Sequence, residues 1–147
     1  MFSLVLVRPI NDNIQEVRMG YLSKIKGILE TPYEQTIFID TDTFFCDTCD
    51  ELFRVIYFFI VLIYHDYQET SFAQIDGSDL KGLNTYNTGV IVYNSSDRVM
   101  SFLNDWATIF KDGMDDYWSD QPAFMKALLY HPINTYSLQT IYNFRFR

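Results

Sequence analysis

The chain reads as a single α/β domain, on three observations. Short apolar runs alternate with segments of helical period along its length. One run, Ile37, Phe38 and Ile39, stops abruptly at two carboxylates, Asp40 and Asp42. The 147 residues, 48% of them hydrophobic, are enough for one domain with a real core and too few for two.

The run at Ile37 suits a strand buried on both faces, as in a parallel or mixed sheet. An unpaired charge inside such a strand carries a large desolvation cost, so Asp40 and Asp42 belong at its C-terminal end. Open α/β sheets place their ligand crevice there. If the strand continued, a period of two would put both carboxylates on one face; if it turned, they could jointly hold a cation. Two hard oxygen ligands suit Mg²⁺ or Mn²⁺, with waters and substrate phosphates completing the shell.

In order, residues 3–7 read as a short strand closed by Arg8 and Pro9. From Ile14 the apolar residues Val17, Tyr21, Leu22, Ile25, Ile28 and Leu29 recur at helical spacing, with Lys24 and Lys26 in the same helix. After the carboxylates, Asp50 and Glu51 open a short helix, followed by a strand ending at His65 and Asp66. Residues 68–79 are polar and read as a loop. Asn87, Thr88 and Gly89 lead into a buried strand, Val90 to Tyr93, and Asn94, Ser95, Ser96 and Asp97 form a turn and cap. The next helix carries a stripe of Val99, Met100, Phe102, Leu103, Trp106 and Ile109. Ser119, Asp120, Gln121 and Pro122 cap another, with proline in the first turn. A last short strand falls over residues 133–137.

The net charge of −8 argues against general nucleic-acid binding, which needs a basic face. An acidic site can still receive a nucleotide through a metal ion. The opening residues do not read as a signal peptide, and the longest apolar stretch, residues 55–64, is about half of what a spanning helix needs. The expected location is therefore on the cytoplasmic side. Cys46 and Cys49 lack both the second ligand pair of a zinc site and a thioredoxin-like context, and read as two thiols in a reducing compartment. His65 and His131 read as surface or strand-end residues.

Several segments, in order, resemble the nucleotide-sugar glycosyltransferases of the GT-A fold. They are Asp40-Thr41-Asp42-Thr43 with Asp50-Glu51-Leu52-Phe53 behind it, Asn87-Thr88-Gly89-Val90, Asp120-Gln121-Pro122-Ala123-Phe124, and Tyr142-Asn143-Phe144-Arg145. The resemblance runs over about residues 18–146. It implies a Rossmann-like, mixed and mostly parallel sheet with helices on both faces, in one domain over residues 1–147. It implies a metal-dependent transfer of sugar from a nucleotide-diphosphate donor to an acceptor, which could be a glycan, a protein or a small molecule. Asp42 would ligate Mn²⁺ or Mg²⁺ directly, and Asp40 would reach the donor ribose or a metal-bound water. Asn87 and Asp120 would bond sugar hydroxyls, with Asp120 the catalytic candidate. Thr88, Gly89, Gln121 and Lys24 would complete the donor site. For the family's first strand and loop only residues 3–7 are available, and its late histidine ligand is missing or lies on sequence not included, so a fragment or a shortened relative is expected.

Each residue also has a plainer reading. Asp40 and Asp42 could be loop carboxylates satisfied by backbone amides, Asn87 could close a turn, Asp120 could be an N-cap, and Lys24 could be a solvated helix residue. Two other functions stay open. One is a non-catalytic module of the same fold, which could self-associate. The other is a phosphatase-like hydrolase of the haloacid dehalogenase class, which also uses an Asp-x-Asp-x-Thr after a strand, with Asp40 as nucleophile and Asp42 as general acid.

Overall fold

The computed structural model describes residues 14–43, 46–56, 61–66, 74–75, 78–79 and 85–142. The expected strand at residues 3–7 and the segment after Tyr142, including Asn143 and Arg145, lie outside them, as does the side chain of His65. The elements run α1 (Ile14–Leu29), β1 (Gln35–Ile39), α2 (Asp50–Val55), β2 (Val61–Asp66), β3 (Gln74–Ile75), β4 (Ser78–Asp79), β5 (Thr85–Asn94), α3 (Asp97–Asp112), α4 (Gln121–Tyr130) and β6 (Thr135–Leu138), then a 3-10 turn, Thr140–Tyr142.

Four strands form one sheet in the order β1-β5-β2-β6. β5 is antiparallel to both neighbours, and only β2 and β6 pair in parallel. The sheet is mixed, as expected, but the described part is not mostly parallel. Parallel neighbours need a long crossover, commonly a helix. The described residues between β2 and β5 instead form the small β3–β4 pair, and the chain re-enters the sheet running the other way. β1 is an edge strand of the described sheet and is half-buried throughout, not buried on both faces as its apolar run suggested.

The strand buried on both faces is β5. Its side chains alternate with period two. Ile91 and Tyr93 face a core built with Leu22, Ile25 and Ile28 of α1, Val99, Phe102, Leu103, Trp106 and Phe110 of α3, and Ala123, Phe124 and Ala127 of α4. Val90 and Val92 face the opposite way, against Leu52 and Ile56 at α2 and Leu138 of β6. Helices therefore cover both faces. Phe124 is the hub of the larger core: Trp106 and Phe102 meet it edge-to-face at centroid distances of 4.9 and 5.2 Å. That geometry sets ring edges against ring faces and adds to the burial of area.

Two features of β5 position the site. Its register against β1 sets Ile39 opposite Val90, so the end of β1 meets Gly89. Against β2 the register breaks between Ile63, opposite Ile91, and Tyr64, opposite Asn87. Residues 88–90 thus form a bulge, a device that re-aims side chains. The sequence reading started this strand at Val90; the structure runs it from Thr85 with the irregularity inside.

Tyr93 fastens α1 to the sheet. Its buried hydroxyl donates to the Ile28 carbonyl at 2.6 Å, one of the carbonyls left open at the end of α1. Tyr93→Phe should cost about 1–2 kcal/mol, because it strands that carbonyl without creating a cavity. Urea unfolding measures this, and an unchanged midpoint would show that the carbonyl finds water instead.

Candidate functional site

Four elements deliver one side chain or loop each to a single point. α1 brings Lys24. The end of β1 brings Asp40, fixed by its N–H donating to the Gly89 carbonyl at 2.8 Å. The β5 bulge brings Thr88, and the start of α4 brings Asp120. The Lys24 ammonium lies 3.1 Å from Asp40 Oδ1, 3.2 Å from Asp120 Oδ2 and 3.1 Å from Thr88 Oγ1. An ammonium has three protons, so three acceptors satisfy it. Thr88, having accepted from lysine, donates its own proton to Asp120 Oδ2 at 2.9 Å. The Phe38 ring lies 5.3 Å from the same ammonium and adds a cation–π contact.

This corrects the plain reading of Lys24. Its side chain is only 12% exposed. A signal was present in the spacing, since Lys24 is three residues from Tyr21 and four from Ile28 and so shares the apolar stripe, while Lys26 faces solvent. The N-cap reading of Asp120 also changes. Asp120 does occupy the cap position of α4, yet its carboxylate makes no capping bond. It turns inward, 1% exposed as a residue, to Lys24 and Thr88. Its carbonyl is held from behind by the Trp106 indole N–H at 3.0 Å, a contact that sequence reasoning missed.

Asn87 does what the turn reading said: its Oδ1 accepts from the Gly89 N–H at 2.8 Å and shapes the bulge. With its carbonyl bonded to Asp40 as well, Gly89 serves to hold the neighbouring acid in place. Gln121 is half-buried, and its Oε1 is shielded from solvent and meets no donor among the described residues.

Asp40 and Asp42 do not share a strand face. The chain turns directly after β1, with the Thr43 N–H donating to the Asp40 carbonyl at 3.1 Å. Asp42 stands exposed at the tip of that turn. Among the described residues no group of three His, Cys, Asp or Glu gathers around one point. Asp42 is open to solvent, and Asp40, its side chain 37% exposed, lies two residues before it in the chain.

Burial raises the pKa of Asp40 above the ordinary 3.8. Lys24 pulls it back, and the charges of Asp120 and Asp42 add to the rise. A carboxylate with a raised folded-state pKa supports the fold below its ordinary pKa, and that support is lost as pH climbs through the folded value.

The remaining candidates lie apart. Cys46 is exposed and Cys49 half-buried, with no disulfide between them, and burial pushes the Cys49 thiol up. His131 pairs with Asp105 between α4 and α3. Tyr142, whose hydroxyl donates to Glu51 at 2.5 Å, is pushed up to about 12 by that carboxylate and ties the 3-10 turn to α2.

A family model for nucleotide-diphospho-sugar transferases matches residues 21–146. The chain belongs to that family. The match takes in α1 from Tyr21, the Asp-x-Asp turn, the β5 bulge and the start of α4, so it spans every part of the cluster. That family is the one the ordered segments resemble, and it is not that of the haloacid dehalogenase-type hydrolases. A comparison with curated protein sequences finds no match. No helix among the described residues is long and apolar enough to cross a membrane.

Two predictions follow from the charges. Lys24→Met leaves the buried Asp120 carboxylate without its cation and should cost about 3–5 kcal/mol, much of which Asp120→Asn should restore in the double variant. Urea titration of the three proteins checks this; a double variant no better than Lys24→Met would refute the pairing as the cause. For Asp40→Asn, the stability of the parent relative to the variant should fall as pH rises from about the ordinary carboxylate pKa through the raised one, then level off. Unfolding midpoints across the acid range measure the slope, and a rise instead would mean that the pull of Lys24 outweighs burial.

Proposed function

We propose that this family member is a divalent-metal-dependent glycosyltransferase, which moves a sugar from a nucleotide-diphosphate donor to an acceptor. The observation that carries the reading is the inward turn of Asp120. A carboxylate at a helix start would ordinarily cap that helix; here it is drawn into a cluster with Lys24, Thr88 and Asp40, next to the exposed Asp42.

Asp42 and Asp40 are the residues that would hold Mn²⁺ or Mg²⁺. When bound, the cation supplies charge stabilisation to the departing nucleotide diphosphate. The chain's own groups do the rest. Lys24 keeps Asp40 and Asp120 side by side by neutralising part of their charge. Asp120 offers its second carboxylate oxygen to a sugar hydroxyl, with Oδ2 held by Thr88 and Lys24 and the backbone carbonyl held by Trp106. Gln121 offers a shielded carbonyl oxygen that a hydroxyl can satisfy. Asn87 and Gly89 fix the bulge on which Thr88 and Asp40 depend. Three carboxylates against one ammonium leave an excess of negative charge, which favours a cation.

The test is calorimetric titration of UDP and GDP with and without Mn²⁺. Binding should require the metal, and Asp42→Ala should weaken it by roughly tenfold to a hundredfold or more. Asp42 is exposed, so its loss should leave stability within about 0.5 kcal/mol of the parent. Metal-independent binding, or no change in Asp42→Ala, would remove the metal role. The absence of nucleotide binding under every metal condition would favour the non-catalytic module.

A further inference from the structure

The chain has two tryptophans in opposite surroundings: Trp106 is fully buried, and Trp118 is 78% exposed. A single exposed apolar side chain is ordinary on a protein surface. Trp118 differs in how it is presented. It sits on residues 113–120, between α3 and α4, and that loop is tied down along its length. The Asp115 carbonyl accepts from Arg18 Nη2 at 2.8 Å, and its carboxylate lies 3.3 Å from Nη1. The Asp116 N–H donates to the Gly113 carbonyl at 2.9 Å. The Tyr117 ring lies so close over Gly113 that a Cβ there would come within 2.6 Å of it, and the same ring stacks on Phe110. Beyond Trp118, the Asp120 carbonyl is pinned by Trp106. An indole left in water on an anchored loop is a preorganised apolar plate.

Its position gives the plate a meaning. Trp118 is two residues from Asp120, so their Cα atoms are at most about 7 Å apart. Three residues on, Gln121 Oε1 is a shielded acceptor with no donor among the described residues. A buried acceptor left in that state is unfavourable and is satisfied when a ligand brings an O–H or N–H. A pyranose ring supplies both complements, a face of C–H groups that lies flat on an aromatic ring and a rim of hydroxyls that donate to carboxylate and amide oxygens. We propose that Trp118 is a stacking platform for a pyranose ring at the mouth of the Asp120 site, with Gln121 accepting one of its hydroxyls. This rests on the transferase reading of that site; the ring belongs to a saccharide acceptor or to the sugar of the donor.

Tryptophan emission tests it, because Trp106 is already dry and Trp118→Phe removes the exposed reporter alone. The probes are methyl β-glucoside, methyl β-galactoside, lactose and cellobiose for the acceptor. For the donor they are UDP-glucose, UDP-galactose and GDP-mannose with Mn²⁺, against UDP and GDP. The expected result is a shift to shorter wavelength with at least one saccharide, or with a nucleotide sugar beyond its nucleotide, that is absent in Trp118→Phe. By calorimetry, Trp118→Ala should weaken that ligand by roughly tenfold and Trp118→Phe by less, with melting temperature unchanged in both. Nucleotide binding without any sugar-dependent shift overturns the platform and leaves the transferase reading standing. A saccharide shift without nucleotide binding upholds the platform and overturns the transferase reading. A shift given by UDP or GDP alone assigns the indole to a base, and one that grows with protein concentration assigns it to a second copy of the chain; either overturns the proposal.

Discussion

Everything at the site depends on one ammonium group having three acceptors. Lys24 holds together acids from two separate elements and a hydroxyl from a third, and each would sit badly without it. Asp120 is nearly sealed from water, and a lone carboxylate in that position would carry a large desolvation cost. The arrangement is directional as well as neutralising. Lysine donates to Thr88, which leaves the threonine proton free for Asp120, so the hydroxyl relays the ordering of one partner to the other. The lysine can reach this point only because Tyr93 and the apolar stripe of α1 clamp that helix to the sheet.

The two faces of β5 divide the labour. One side carries the larger core, rich in aromatic rings, where Phe124 locks α3 against α4 and so fixes where α4 begins. The other carries a small aliphatic layer shared with α2 and β6. Rigidity is concentrated behind Asp120 and Thr88, while Asp42 stands on an exposed turn. A binding site benefits from that gradient: the groups that set geometry are fixed, and the one that meets a mobile ion is accessible.

The order and bounds of most elements could be read from the sequence, because their cause is local. The stripe of α3 and the helical spacing of α1 are periodicities, and the end of β1 is marked by the first charge after an apolar run. What could not be read was pairing. Nothing in Ile37, Phe38 and Ile39 says that they lie at an edge, since an apolar strand looks the same at an edge as in the middle. Nor does Asn87-Thr88-Gly89 reveal that the strand continues through it, because turn-forming residues are also bulge-forming residues. Asp120 was legible as a cap and as a site residue at once. The two readings separate only when the direction of the side chain is known, and that is set by Lys24, 96 residues earlier in the chain. The exposure of Trp118 is illegible for the opposite reason: an aromatic residue in a loop has no period to report it.

The bulge in β5 has a consequence for how this protein can diverge. Side chains on a strand alternate, so removing or adding one residue between Asn87 and Ile91 would exchange the two faces of everything on one side of the change. Ile91 and Tyr93 would move into the thin aliphatic layer, and Val90 and Val92 would face α1 and α3. A substitution at these positions perturbs one contact; a change in length reassigns a whole layer. Relatives that keep the site are therefore free to vary the lettering of this segment far more than its count, and a gap here in a comparison of two sequences would mark a different pocket.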